Sequence, residues 1–165
     1  MEKLKEEDKS NNNDQLKTYD SIFFNFNDEN MKIATNIRNI VFVEEQNVPL
    51  DRENDNLDQE CTHGLFFVIK DSNKIHIGTV RLKYDSDNVV HIQRFCILKE
   101  YRKEGYGSKF FNDIMEYLKL KKQLKTIMLS SQAYIVNFYK KFGFIISSES
   151  YMDAGIEHFD MILEL

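Results

Sequence analysis

Hydrophobic residues recur along this chain with two different periods. From Ser21, IFFNFN reads as a short strand, after which Asp28 can cap a helix with Met31, Ile33, Ile37, Ile40 and Val41 on one side, ending near Gln46. Residues 47–60 are polar, contain Pro49 and alternate in charge, which marks a loop or a broken short helix. HGLFFVIK (63–70), KIHIGTVRLKY (74–84) and NVVHIQRFCIL (88–98) follow as strands separated by DSN and DSD turns, and an antiparallel meander is expected. Beyond Leu98 the period becomes helical. Phe110, Phe111, Ile114, Met115 and Leu118 share one face of a helix from about Gly105 to Lys121. TIMLSS (126–131) is strand-like, and Ala133, Val136, Tyr139 and Phe142 suit a short helix stopped by Gly143. FIISSESY (144–151), a turn at Asp153-Ala154-Gly155 and IEHFDMILEL (156–165) read as a closing strand pair. The expected order is β-α-(α)-β-β-β-α-β-α-β-β, an α+β (α/β) domain over 21–165. Residues 1–20, with ten charged side chains and the run Asn11-Asn12-Asn13, are expected to form a disordered tail.

Composition narrows the function classes. At 165 residues the chain can bury a single core without disulfides or metals. Its 27 acidic and 22 basic side chains provide no basic footprint for nucleic acid. Cys61 and Cys96 are no disulfide framework, and His63, His76, His91 and His158 show no ligand spacing, so no metal is expected. No apolar run approaches the roughly 20 residues of a membrane span, and the charged start does not resemble a signal peptide. A cytoplasmic setting, away from membranes, is expected.

Glycine and proline are scarce, six and one, so their positions carry weight. Gly105 and Gly107 lie in Glu100-Tyr101-Arg102-Lys103-Glu104-Gly105-Tyr106-Gly107-Ser108, between a strand and an amphipathic helix. A helix start with outward amides and a positive dipole end, flanked by Arg102 and Lys103, suits an anion such as a phosphate. The segment is no Walker A loop, because Phe110 follows Ser108-Lys109, and it lacks the third glycine of a dinucleotide fingerprint.

It does match Arg-x-x-Gly-x-Gly, and so resembles the acetyl-coenzyme A signature of the GCN5-related N-acetyltransferases. Asn137-Phe138-Tyr139-Lys140-Lys141-Phe142-Gly143-Phe144 resembles the family's late Y-x-K-x-G-F segment. Residues 38–49 resemble the R-x-x-V-F-V-x-E-Q-x-V-P stretch of one subgroup, and Ala154-Gly155-Ile156-Glu157-His158 its A-G-I-x-H turn. Lys99 and Lys103 depart from the pattern, standing where proline and glycine are common.

The resemblance implies a mixed sheet of six to seven strands flanked by about four helices, with a splayed strand pair holding acetyl-CoA as co-substrate. The backbone of Phe95, Cys96 and Ile97 would bind the pantetheine arm, and one N–H there would face the acetyl carbonyl. Arg102, Lys103, Gly105, Tyr106, Gly107 and Ser108 would hold the pyrophosphate, with Gln132 and Asn137 as further cofactor contacts. Tyr139 would protonate the leaving thiolate, and Glu45, ahead of His63 and His158, would take the proton of the amine. Arg38, Arg81, Lys83 and Arg94 suggest an anionic acceptor, with Glu45, Gln46 and His158 beside it. Glucosamine 6-phosphate is the leading acceptor; polyamines, aminoglycoside-like amines and protein lysines stay open, as does a non-catalytic acetyl-CoA-binding module. Relatives often pair through their C-terminal strands, which leaves a homodimer open.

Overall fold

The computed structural model describes residues 18–165, and the segment read as a tail lies outside them up to residue 17. Strand β1 (Tyr19–Asn25) begins two residues before the expected boundary, paired with β2 (Thr62–Lys70). Helix α1 (Asp28–Arg38) is capped by Asn27, one residue earlier than expected, whose side chain accepts from the Asn30 amide at 2.9 Å. It continues as a π-helical segment, Asn39–Glu45, in which the Gln46 amide reaches back to the Val41 carbonyl at 3.2 Å. The polar stretch after it holds α2 (Leu50–Glu53) and a 3-10 turn, Asp58–Glu60.

Strands β2, β3 (Asn73–Ser86) and β4 (Val89–Ile97) form the expected antiparallel meander. The first turn is Asp71-Ser72, both at positive φ; the second lies at Asp87-Asn88, because β3 runs on through Asp85 and Ser86. Helix α3 (Tyr106–Lys119) then leads to β5 (Thr126–Gln132), a 3-10 turn (Ala133–Ile135) and α4 (Val136–Lys140). The segment FIISSESY, read as one strand, is divided: only Ile145–Ile146 (β6) and Tyr151–Asp153 (β7) pair, each with β8 (Ile156–Glu164). Splitting this segment brings the sheet to eight strands, ordered β1-β2-β3-β4-β5-β8-β6 with β7 also on β8.

Two apolar clusters flank the sheet. Met31, Ala34, Ile37 and Val41 of the first helical run pack with Leu65 and Cys96. Phe110, Phe111, Ile114, Met115 and Leu118 of α3 form a larger cluster with Phe66, Ile77, Val80, Val136 and Tyr139. Gly78 permits this packing at the end of β4, because a Cβ there would come within 2.6 Å of the Ile97 side chain and 2.9 Å of the Cys96 carbonyl. No helix among the described residues is long and apolar enough to cross a membrane.

Candidate active site

The sheet is interrupted at its one parallel pair. Strands β4 and β5 are in register only from Val89 with Thr126 to Ile92 with Leu129, although both run on. The cause lies in β4, where Arg94 and Phe95 together stand opposite Val80 of β3 and Arg94 adopts φ +54°, a bulge that turns the strand away. The Leu98 amide donates to Ile77 of β3 at 2.8 Å, so by the alternation of a ladder the N–H and C=O of Ile97 face the open side. Beneath this gap is a cleft of about 780 Å³.

The loop after β4 closes one end of the cleft. Gly105 sits at φ +81° as the residue before α3, and a side chain there would meet nothing within 4 Å, so the amides starting the helix are open to an anion. Lys103 also has positive φ, +65°, the conformation that glycine would adopt more easily. Arg102 turns inward: Nε donates to the Ile97 carbonyl at 2.8 Å, and its two terminal nitrogens hold both oxygens of Glu45. The Arg102 hydrogen bonds, opposed by desolvation, keep the Glu45 carboxyl below the usual range. On the other side, Gln132 at the end of β5 donates to Gln46 Oε1 at 2.9 Å. The end of the π-helical segment is thus tied to both arms of the gap.

Tyr139 lines the floor, 5% exposed among Phe111, Phe138 and Phe144. Burial raises its phenol well above the ordinary value, so it is protonated at every physiological pH. Across the cleft, His158 Nδ1 lies 2.8 Å from the Ile156 carbonyl. A carbonyl can only accept, so Nδ1 carries the hydrogen and the neutral ring keeps its lone pair on Nε2. Cys96 is buried and its thiol is pushed up to about 12 by burial, which makes it a poor nucleophile.

Of the residues singled out from sequence, Gln46, Arg94, Phe95, Cys96, Ile97, Arg102, Lys103, Gly105, Gly107, Ser108, Gln132, Tyr139 and His158 line the cleft. Glu45 reaches its rim through Arg102. Tyr106 turns its ring toward Phe66 and Lys109, and Asn137 points to solvent on the exposed side of α4. His63 is buried at the Asp58 carbonyl, 2.8 Å away. Lys83 pairs with Asp85 outside the cleft.

The arginines do not form the expected anion site. Arg38 and Arg81 are each 1% exposed, Arg38 bound to Glu53 and Asp58, Arg81 to Asp55 and Asp58. With Arg94 they make three positive charges against three carboxylates, a network that neutralises itself. Burial alone would depress the Arg38 and Arg81 guanidiniums, and their carboxylate partners outweigh it, raising both. Sequence reading missed Arg52, Asp153, Tyr134 and Phe138, which also line the cleft. Arg52 and Asp153 pair across its mouth, each about half exposed. Each adjoins a motif that was recognised, the Pro49 stretch or the Ala154-Gly155 turn, but only the tertiary fold brings the two together. Among the described residues no three His, Cys, Asp or Glu side chains are grouped to hold a metal.

A family model described as an acetyltransferase (GNAT) domain matches residues 40–165. The Bacillus subtilis protein YjcF, described as an uncharacterized N-acetyltransferase, is 35% identical over 82% of this chain and 94% of its own length. The Escherichia coli protein ElaA is 33% identical over 78% of this chain and 84% of its own length. The crystal structure of Escherichia coli ElaA superposes with a TM-score of 0.76 at 25% identity, covering 87% of this chain and 98% of that one.

Proposed function

The chain belongs to the GNAT family and is an acetyl-CoA-dependent N-acetyltransferase, and from that premise we propose that it acetylates a small primary amine directly within the cleft between β4 and β5. The observation that carries this reading is the parting of the two strands after Ile92 and Leu129 beside an open helix start, with Tyr139 on the floor. The residues fit the co-substrate: the N–H of Ile97 faces an open edge, and no side chain caps the start of α3 after Gly105. Acetyl-CoA supplies a thioester as acetyl donor.

The amide of Ile97 stabilises the negative charge that develops on the acetyl oxygen. Lys103, Ser108 and the amides that open α3 hold the pyrophosphate, while Arg102 braces the end of β4 through the Ile97 carbonyl. His158 Nε2 takes the proton of the attacking amine, in preference to Glu45, whose basicity Arg102 lowers. Tyr139 gives its hydroxyl proton to the departing sulfur. The Cys96 thiol takes no part, in keeping with transfer in one step.

The acceptor is read by fewer charges than the sequence suggested. Glucosamine 6-phosphate keeps one support, the half-exposed Arg52 guanidinium at the mouth, and is the phosphorylated member of a test panel with glucosamine, spermidine and a lysine peptide. Release of free coenzyme A is measured across the panel, and at least one amine is expected to accelerate it well above hydrolysis. Loss of the reading would follow from no release with any amine together with no thermal stabilisation by millimolar acetyl-CoA.

A further inference from the structure

The residue at which β4 leaves β5 is not a glycine. Arg94 occupies the left-handed region, φ +54°, where a side chain is disfavoured and glycine would be at ease. What arginine adds there is a set of hydrogen bonds to α2. Its Nε donates to Glu53 Oε1 at 3.2 Å, and its Nη2 lies 3.3 Å from the Arg52 carbonyl, 3.2 Å from the Glu53 carbonyl and 3.3 Å from Asp55 Oδ2. Glu53, 1% exposed, is gripped from its other side by Arg38 Nε and Nη2 at 2.5 and 2.8 Å. Arg52 and Glu53 line the cleft, as do Phe95 to Ile97, immediately after Arg94.

We propose that Arg94 is a positioning residue rather than a contact for an anionic acceptor: its backbone makes the bulge that opens the gap, and its guanidinium fixes the acceptor wall, α2, to that same point of β4. The two halves of the cleft are thereby held in one register. Arg38 and Arg81 hold the outer part of the loop at Asp58, so the effect of Arg94 falls on Arg52–Asp55, which its side chain contacts. The kinetic consequence rests on the acetyl-transfer reading above, while the structural consequence does not.

The test uses the full chain and two variants. Arg94→Gly keeps the left-handed backbone and removes the hydrogen bonds; Arg94→Lys restores a charge and part of the bonding. In Arg94→Gly, amide hydrogen exchange is expected to rise about tenfold or more at Arg52, Glu53 and Asn54, with Cys61 unchanged. Acetyl-CoA affinity stays within about threefold, whereas KM for the most active amine of the panel rises about tenfold with a smaller change in kcat. Arg94→Lys recovers part of both effects. Unchanged exchange in α2 overturns the proposal, as does a loss of acetyl-CoA affinity in step with the rise in acceptor KM. Wild-type protein that acetylates no amine would instead overturn the acetyl-transfer reading, and the exchange measurement would still decide the role of Arg94.

Discussion

Glu45 and Arg102 meet through two parallel hydrogen bonds, Nη1 to Oε1 at 2.5 Å and Nη2 to Oε2 at 2.9 Å, joining the end of the π-helical segment to the loop after β4. Such a fork holds a carboxylate in its charged form and occupies both of its oxygens. Glu45 is therefore a brace between the π-helical segment and the loop after β4.

The pH profile distinguishes a brace from a base. A side chain that takes the amine proton gives kcat/KM an acid limb, and the variant that loses the limb identifies that side chain. Glu45→Gln is expected to keep the acid limb at the same pH while lowering acetyl-CoA affinity, and His158→Gln to abolish that limb and lower kcat by about a hundredfold. An acid limb that vanishes in Glu45→Gln and persists in His158→Gln would return the role to Glu45.

For Tyr139, burial favours the neutral phenol, so the group holds its proton throughout the working range and contributes no titration of its own near neutrality; the same burial makes it a weaker acid, so its proposed transfer to sulfur depends on close positioning. Tyr139→Phe keeps the ring among Phe111, Phe138 and Phe144 and removes only the hydroxyl. The expected result is a fall in kcat of about a hundredfold with acetyl-CoA affinity held within about threefold. Equal kcat in the two proteins would remove Tyr139 from the reaction.

The buried Cys96 thiol gives a chemical test of one-step transfer. At pH 8 a thiol raised to about 12 is thiolate in only about one part in ten thousand. Iodoacetamide at that pH should leave activity intact, and Cys96→Ala should alter kcat by less than about threefold. Initial rates with both substrates varied should give intersecting lines; parallel lines, the mark of a covalent intermediate, would contradict the mechanism.

Much of this was legible in the sequence because periodicity and turn chemistry are local. The meander from Thr62 to Ile97, the α3 face around Phe110 and the glycines before it follow from patterns that neighbouring residues enforce. Other features were out of reach for a physical reason. The π-helical run from Asn39 to Glu45 keeps a helical apolar face, so no residue type announces the wider turn. The arginines were misjudged because exposure is a tertiary property: Arg81 on a strand looks free until Asp55 and Asp58 fold over it. Arg52 and Asp153, 101 positions apart, form a pair that no local pattern encodes.

That buried network also sets the acid stability. Asp55 is held below the ordinary carboxylate range chiefly by Arg81, and Asp58 likewise, its desolvation outweighed by hydrogen bonds from Arg38 and Arg81. A carboxyl with a lowered folded value stabilises the fold above its unfolded value of about 3.9, and that contribution is lost as pH falls toward the folded value. Denaturant midpoints should therefore drop steeply below about pH 4 in the wild type and less steeply in Asp55→Asn with Asp58→Asn. Glu53→Ala, which strips the buried Arg38 of its main partner, should cost about 3–5 kcal/mol at neutral pH. A loss under about 1 kcal/mol would mean that water reaches Arg38.

Lys103 sets backbone strain against charge. Its φ of +65° disfavours any L-side chain by roughly 1–2 kcal/mol, whereas glycine adopts it freely. Glycine also gives the unfolded chain more freedom, which cancels part of the gain. Lys103→Gly is thus expected to raise stability by up to about 1 kcal/mol. The same change removes a positive charge beside the open start of α3, where the pyrophosphate is to bind, and should weaken acetyl-CoA binding by a few-fold at low salt and less at high salt, where the charge is already screened. Thermal unfolding and acetyl-CoA titrations at two ionic strengths read the two effects separately. A variant that is less stable than the wild type would show that the Lys103 side chain contributes packing or pairing that exceeds its strain, and unchanged affinity at low salt would remove it from the phosphate site.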